Sequence, residues 1–260
     1  MSVSDVAETA TRLILDDTKI SWHLDRVRAW DRGERIAPIT IDMALTQACT
    51  AGCGFCYAAL QYNKPRKITA EIMRGFLDDC KEIGVKAVSF VSDGESTLSP
   101  AYAPSIEYGH SLGLSMASGT YGGPLTKAII DRVLPCLTYL RFNVSGGTIE
   151  RTQEIMRISR EEILKIRELI GYCVSRKAEL GLGVTLGIQM VLRPQDGDQI
   201  EPYSILGLSL GVDYAVIKHC SDDESGSLGV DYSAYPALYD SLRAAEAMSN
   251  SVTKIVVKWN

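Results

Sequence analysis

From residue 39 onward, short apolar runs alternate with amphipathic stretches of helical period, and this alternation constrains the fold of the 260-residue chain more than any other feature. The runs Ile39–Leu45, Val85–Val91, Leu114–Ser118, Leu137–Val144, Val184–Leu192, Val212–Lys218 and Lys254–Trp259 read as strands. Between them the period predicts helices over 69–83, 102–112, 125–134, 149–180, 199–210 and 235–249. Thr69 is the expected N-cap of the first, with Ile72, Phe76, Cys80 and Ile83 as its apolar stripe and Gly84 as its stop. Pro124 suits a first helical turn, and the long stretch is expected to break near Ser159. Each return to the sheet through a helix forces parallel pairing, with right-handed crossovers and helices outside. Six such units and a last strand fall short of the eight of a closed barrel. The expected fold is therefore α/β, either an incomplete barrel or an open doubly wound sheet. Both bind ligands at the C-terminal ends of their strands. The first 35 residues read as a separate helical extension, with Ile20, Leu24, Val27 and Trp30 at helical spacing, so the expected domains are 1–35 and 36–260.

Composition narrows the partners. Lys plus Arg number 27 against 32 Asp plus Glu, a formal charge of −5, with no basic stripe; a nucleic-acid partner is not expected. No stretch of about 18 apolar residues is present, so no membrane span is expected. The first residues carry Asp5 and Glu8 and no positive start, unlike a secretory leader. Seven cysteines, an odd count, fit a reducing cytoplasmic setting better than a disulfide framework. Cys80 and Cys173 fall on helix stripes and Cys136 beside Pro135, which suits packing roles.

The remaining thiols are the informative ones. Cys49, Cys53 and Cys56 share one loop after the first strand, with small residues between them that let the loop wrap a bulky object. Thiolates are the protein ligands of iron–sulfur clusters, and three of them leave one iron of a four-iron cluster open. A structural zinc site is the alternative. It wants four ligands, and His219 or Cys220 would have to complete the Cys53–Cys56 pair from another strand end.

The spacing Cys-x3-Cys-x2-Cys after the first strand, with the aromatic Phe55 before the last cysteine, resembles the radical S-adenosylmethionine (SAM) superfamily. Within Ser92-Asp93-Gly94-Glu95-Ser96-Thr97 after the second strand, residues 93–96 are similar to the family's Gly-Gly-Glu-Pro motif, with Asp in place of the first glycine and Ser in place of the proline. Ala117-Ser118-Gly119-Thr120 and Arg141-Phe142-Asn143-Val144-Ser145-Gly146 sit where the subgroup of molybdenum-cofactor and SPASM/twitch-type enzymes has Thr-Asn-Gly and Arg-x-Ser-x-Asp-Gly, and Gln153 to Arg157 also fits it. The resemblance covers about residues 36–220. It implies a partial (β/α)6 barrel and a [4Fe-4S] cluster on Cys49, Cys53 and Cys56. It also implies reductive cleavage of SAM to a 5′-deoxyadenosyl radical that takes a hydrogen atom from a peptide or small-molecule substrate. An electron donor such as flavodoxin or ferredoxin would be a partner. Phe55, Asp93, Gly94, Glu95, Ser118, Asn143, Ser145, Gln189 and Arg193 are then the expected SAM-binding residues. Cys220, past the sixth strand, is the candidate to return a hydrogen atom to the substrate, as in epimerisation. His219 is a candidate for substrate or metal, Lys218 for an anionic substrate group, and the run Asp222-Asp223-Glu224 for a cationic one. The subgroup often carries auxiliary-cluster cysteines C-terminal to the barrel; none follows Cys220, so either a single cluster or a shortened form of a longer enzyme is expected.

Overall fold

The computed structural model describes residues 21–60 and 67–259. The chain divides into two compact units, 1–38 and 39–260. In the first, helix α1 (Leu24–Asp31) buries none of its residues, and Leu24 and Trp30 are exposed, so the expected apolar stripe is not a core face. Arg26 donates to the carbonyls of Ala37 and Pro38. Residues 1–20 of the expected extension, Ile20 among them, lie outside the described residues.

The second unit is a single parallel sheet. Its strands are β1 (Thr40–Met43), β2 (Ala87–Phe90), β3 (Ser115–Thr120), β4 (Leu137–Asn143), β5 (Thr185–Leu192), β6 (Tyr214–His219) and β7 (Lys254–Lys258), paired in chain order. A doubly wound sheet reverses its strand order at a switch point. This sheet never does, so of the two expected architectures it is the incomplete barrel.

The crossovers are α2 (Ala70–Ile83), α3 (Tyr102–Ser111), α4 (Lys127–Val133), α5 (Ile149–Met156), α6 (Arg160–Leu180), α7 (Ile200–Leu210) and α8 (Tyr239–Ala247). Local chemistry sets their ends. Thr69 caps α2 by accepting from the Ile72 amide, and Gly84 closes it in the left-handed region at φ 86°. Ser159 caps α6 and so breaks the long stretch where expected. Helix α4 starts later than Pro124 suggests, because the Thr126 hydroxyl takes the Ile129 amide and fixes the cap two residues on.

Successive strand residues point to opposite faces, and the helices cover only one. Tyr102 of α3 packs on Phe90 with ring centroids 6.1 Å apart and donates to Ser118 Oγ. Gly109 of α3 abuts Met116, and Gly207 of α7 abuts Ala215. Val88, Leu140, Phe142, Ile188, Met190 and Ile217 share this helix-facing side and are buried. The alternate positions, among them Arg141, Asn143, Gln189, Val191 and Lys218, form an inner face that stays partly open.

One expected stripe is rotated. Helix α2 buries Met73, Leu77 and Cys80, while Ile72 and Ile83 are each 58% exposed. Both sets recur at helical spacing and share Cys80; packing against α3 selects the first. Leu77→Ala is accordingly expected to cost about 2–5 kcal/mol through its cavity. Ile72→Ala should cost less than about 0.5 kcal/mol. Denaturant unfolding of the two variants checks the rotation, and equal losses would contradict it.

Candidate functional site

The cysteine loop leaves the C-terminal end of β1 and docks on the C-terminal end of α5. The last carbonyls of that helix lack intrahelical partners. The Ile155 carbonyl accepts the Gly54 amide at 3.2 Å and the Met156 carbonyl accepts the Gly52 amide at 3.0 Å. Arg157 then ends α5 in the left-handed region at φ 53°, the one non-glycine with positive φ among the described residues. That turn lays its side chain along the loop: a Cβ at Gly52 would stand 3.3 Å from Arg157 Cβ. At Gly54 a Cβ would stand 3.2 Å from Arg193 Nη1 and 3.9 Å from Arg157 Nη2. Two guanidinium groups therefore reach the segment between Cys53 and Cys56.

Burial pushes the Cys53 thiol up to about 12; the Cys56 and Cys49 sulfurs add to the rise, and Arg157 opposes it. The three sulfurs thus feel one another as like charges. Among the described residues no group of three or more His, Cys, Asp or Glu side chains converges tightly enough to hold one metal ion. A four-iron cluster takes each thiolate on a different iron and suits a wider triangle of sulfurs. The donor set, the glycines and the two cations fit such a cluster. The His219 ring stacks on Tyr235 at 3.9 Å with its Nε2 buried and unpartnered, and the Cys220 amide donates to the Leu192 carbonyl and the Tyr235 hydroxyl.

The loop after β2 closes over the first. Gly94, at φ 66°, is required: a Cβ would lie 2.3 Å from the Thr46 carbonyl oxygen. Asp93, where the motif has glycine, does not have a positive φ, so the substitution brings no backbone strain. The Glu95 carboxylate is buried and wholly engaged. Its Oε1 accepts from the Thr97 amide at 3.1 Å, the Thr97 hydroxyl at 2.7 Å and the Thr120 hydroxyl at 2.8 Å, and its Oε2 from the Tyr121 amide at 2.9 Å. Its amide donates to the Ala48 carbonyl at 2.8 Å. Glu95 therefore ties three strand-end loops together, and its carboxylate faces protein donors. The Tyr121 hydroxyl extends this knot to Thr50 on the cysteine loop and to Glu162 on α6.

Of the other expected contacts, Asn143 and Gln189 share the inner face, with Gln189 Nε2 donating to Asn143 Oδ1 at 3.5 Å. Ser145 is buried and its hydroxyl accepts the Val191 amide at 3.0 Å. Phe55 and Asp93 are half-buried on their loops. Ser118 is not brought to this face: strand alternation turns it toward α3, where it accepts the Tyr102 hydroxyl. Arg193 is held by Asp196, whose Oδ2 accepts Nε at 2.7 Å and whose Oδ1 accepts Nη2 at 3.3 Å. Cys220 is 1% exposed and burial raises its thiol. Lys218 is exposed on the inner side. Two residues of the acidic run are committed to their own loop, while Glu224 is exposed: Asp222 accepts the Leu228 and Val230 amides, and Asp223 accepts from Ser225 and Ser227. Neither carboxylate is presented to a cationic ligand.

Asp196 and the Thr50–Tyr121–Glu162 chain carried no motif that singled them out, and Arg157 entered only as the end of the Gln153–Arg157 segment. The available signal was Gly52 and Gly54 alternating with cysteines, which marks close approach by something outside the loop.

No family model matches the chain. Solved structures do match its fold. SuiB of Streptococcus suis bound to S-adenosylmethionine superimposes with a TM-score of 0.69 at 14% identity, over 98% of this chain and 59% of SuiB. SuiB bound to its precursor peptide SuiA gives 0.68 at 15% identity, over 94% and 55%. The chain thus spans less than two thirds of SuiB. The protein anSMEcpe with bound AdoMet gives 0.62 at 14% identity, over 85% of this chain and 64% of that one. The shared architecture is the partial barrel of the radical SAM type.

Exposure orders the thiols. In the metal-free chain, iodoacetamide is expected to modify the exposed Cys49 first, and Cys80, Cys173 and Cys220 only after denaturation. Peptide mass spectrometry reads the order; early labelling of Cys173 would contradict it. The Asp223 carboxyl is held down to about 2, chiefly by the Ser227 hydroxyl and amide and the Ser225 hydroxyl. Its folded value lies below the ordinary carboxylate value of about 4. Its stabilising contribution is therefore present above about pH 4 and is lost as pH falls through about 2. A carbon-detected titration should place this group's midpoint near 2, and a midpoint near 4 would contradict the loop contacts.

Proposed function

We propose that this chain is the catalytic partial barrel of a radical SAM enzyme, with one [4Fe-4S] cluster on Cys49, Cys53 and Cys56. The observation that carries this reading is the three-cysteine loop itself, which leaves the first strand of a partial barrel and is pinned to the end of α5 through Gly52 and Gly54. When bound, cluster and SAM supply a 5′-deoxyadenosyl radical on one-electron reduction, and the protein's part is binding, orientation and exclusion of water.

The chain's own residues divide that work. Gly94 lets the second loop lie against Thr46 and Gln47, which brings Asp93 to the rim as a partner for the SAM ammonium. Arg193 keeps Nη1 free of Asp196 and beside the cysteine loop, suited to a carboxylate there. Asn143 and Gln189 offer amides from the inner face to ribose or adenine, and the Ser145 hydroxyl still has a proton to donate. Phe55 directly precedes the last cluster ligand on the same loop and is half-buried. Glu95 serves by holding the loops, and Ser118 has no part in the site. An electron donor such as flavodoxin or ferredoxin is expected to approach from the side of Cys49, the exposed thiol of the three. Burial keeps the Cys220 thiol protonated at neutral pH. It can then pass a hydrogen atom to a substrate carbon radical, leaving a thiyl radical. SuiB's complex with its precursor peptide supports a peptide among the substrate classes; a small molecule is the other. A cytoplasmic setting keeps these thiols reduced.

Anaerobic reconstitution is expected to give about four irons per chain, with SAM cleavage under reductant. Replacing any one of Cys49, Cys53 and Cys56 by Ala should abolish both. A colourless protein holding one zinc would overturn the reading. With a substrate in hand, solvent deuterium in the product that disappears in Cys220→Ala would assign the donor.

A further inference from the structure

The inner face holds a guanidinium that the proposed SAM site does not use. Arg141 occupies an inward position on β4, and its register neighbours on both sides are glycines, Gly119 on β3 and Gly187 on β5. The two gaps are filled differently. A Cβ at Gly119 would stand 3.4 Å from Arg141 Nη2 and 3.0 Å from Val91 Cγ1, so the guanidinium lies over that strand. A Cβ at Gly187 would stand 2.2 Å from Tyr214 Cζ, so the tyrosine ring covers the other. The sequence thus clears space around this one side chain.

Its partners are missing among the described residues. Arg141 Nε is buried with no hydrogen-bond partner. Three other half-buried arginines contrast with it: Arg151 pairs with Asp196 and Asp198, Arg176 with Asp131, and Arg193 with Asp196. Asp213, beside Tyr214, is taken by Lys177 at 2.6 Å and by the Leu186 amide at 2.6 Å. Tyr139, one layer below on the same strand, is turned to Ser89 at 3.1 Å. One layer above, toward the C-terminal edge, stand Asn143 and Gln189. A half-buried guanidinium without a counter-charge is expensive to keep. A ligand oxyanion would supply both the charge and the acceptors, through the planar fork that matches carboxylate and phosphate.

We propose that Arg141 anchors an anion subsite on the inner face, below the Asn143–Gln189 layer, that takes a carboxylate or phosphate group of the substrate. This rests on the proposed function in one respect: it takes the inner face as the substrate chamber. Glutarate and inorganic phosphate are the probes, titrated into the anaerobically purified full chain, with chloride at matched ionic strength as the reference. The readouts are the Arg141 Nε–H and the Asn143 and Gln189 side-chain amide resonances. Saturable shifts with glutarate alone identify a carboxylate subsite, with phosphate alone a phosphate subsite, and with both a general oxyanion subsite. Arg141→Gln should weaken the binding at least about tenfold, and Arg141→Lys, which keeps charge but loses the fork, by a smaller factor. An unchanged melting temperature in Arg141→Lys guards against simple misfolding. Shifts that only track chloride, or an affinity unchanged in Arg141→Gln, would overturn the proposal. Iron and SAM-cleavage assays on the same sample separate the two readings. A chain that holds four irons while Arg141 stays silent loses only the subsite, and one that binds the anion but no iron loses only the cluster.

Discussion

The structure depends on a one-sided sheet. Seven parallel strands paired in chain order need a crossover at every step, and the crossover helices lie against one face. That face is closed by Phe90, Met116, Phe142 and Ile188 beneath α3, α6 and α7, and it has no room for a ligand. With a period of two, each strand residue is committed either to this packed layer or to the inner face. Ser118 and Gly119 are sequence neighbours with opposite fates. The serine hydroxyl is consumed by Tyr102, while the glycine makes space for Arg141. Function is confined to one parity of each strand and to the loops at its end.

Those loops are held by a buried acid. Glu95 accepts from the loops after β2 and β3 through its side chain and donates to the cysteine loop through its amide. Hydrogen bonds to a charged group are worth about 1.5–3 kcal/mol each. Against a total stability of about 5–15 kcal/mol, that is a large share to concentrate at one rim. The cysteine loop has a second anchorage on the spare carbonyls of α5, and a third through Thr50 and Tyr121. A loop fixed at three points keeps its sulfurs in place before any ligand arrives, which lowers the ordering cost of binding.

Much of this was legible in the chain. Apolar alternation gives the strands and their parallel pairing, and caps such as Thr69 and Ser159 act locally, so their signal survives in sequence. The cysteine spacing marks its own loop. What sequence could not carry was orientation. The stripe of α2 is ambiguous because Ile72 and Met73 belong to rival apolar sets and only α3 decides between them. Ser118, Asn143 and Ser145 all read as small polar residues near strand ends, and tertiary parity alone separates them. Asp222 and Asp223 resemble a recognition patch in sequence, yet the nearby amides and hydroxyls of their own loop claim them first. Arg157 reads as an ordinary helix-terminal residue until its left-handed turn lays it on Gly52.

Net charge is likewise a poor guide to the site. The chain is acidic overall at −5, but the charges at inward strand positions are Asp42, Arg141, Lys218, Lys254 and Lys258, four cations to one anion. Lys218 and Lys258 stand opposite each other on β6 and β7, an arrangement that like-charge repulsion disfavours in a closed protein. An excess of cations at the inward positions favours a positive potential on that open face within an acidic surround. Low-dielectric walls focus such a field and draw in anions. The acidic residues that set the total charge lie mostly outside, paired with arginines and lysines on the helices, as with Glu107, Asp131 and Glu168. An acidic total charge and a cationic inner face can therefore coexist, because the two are set by different faces of the same sheet.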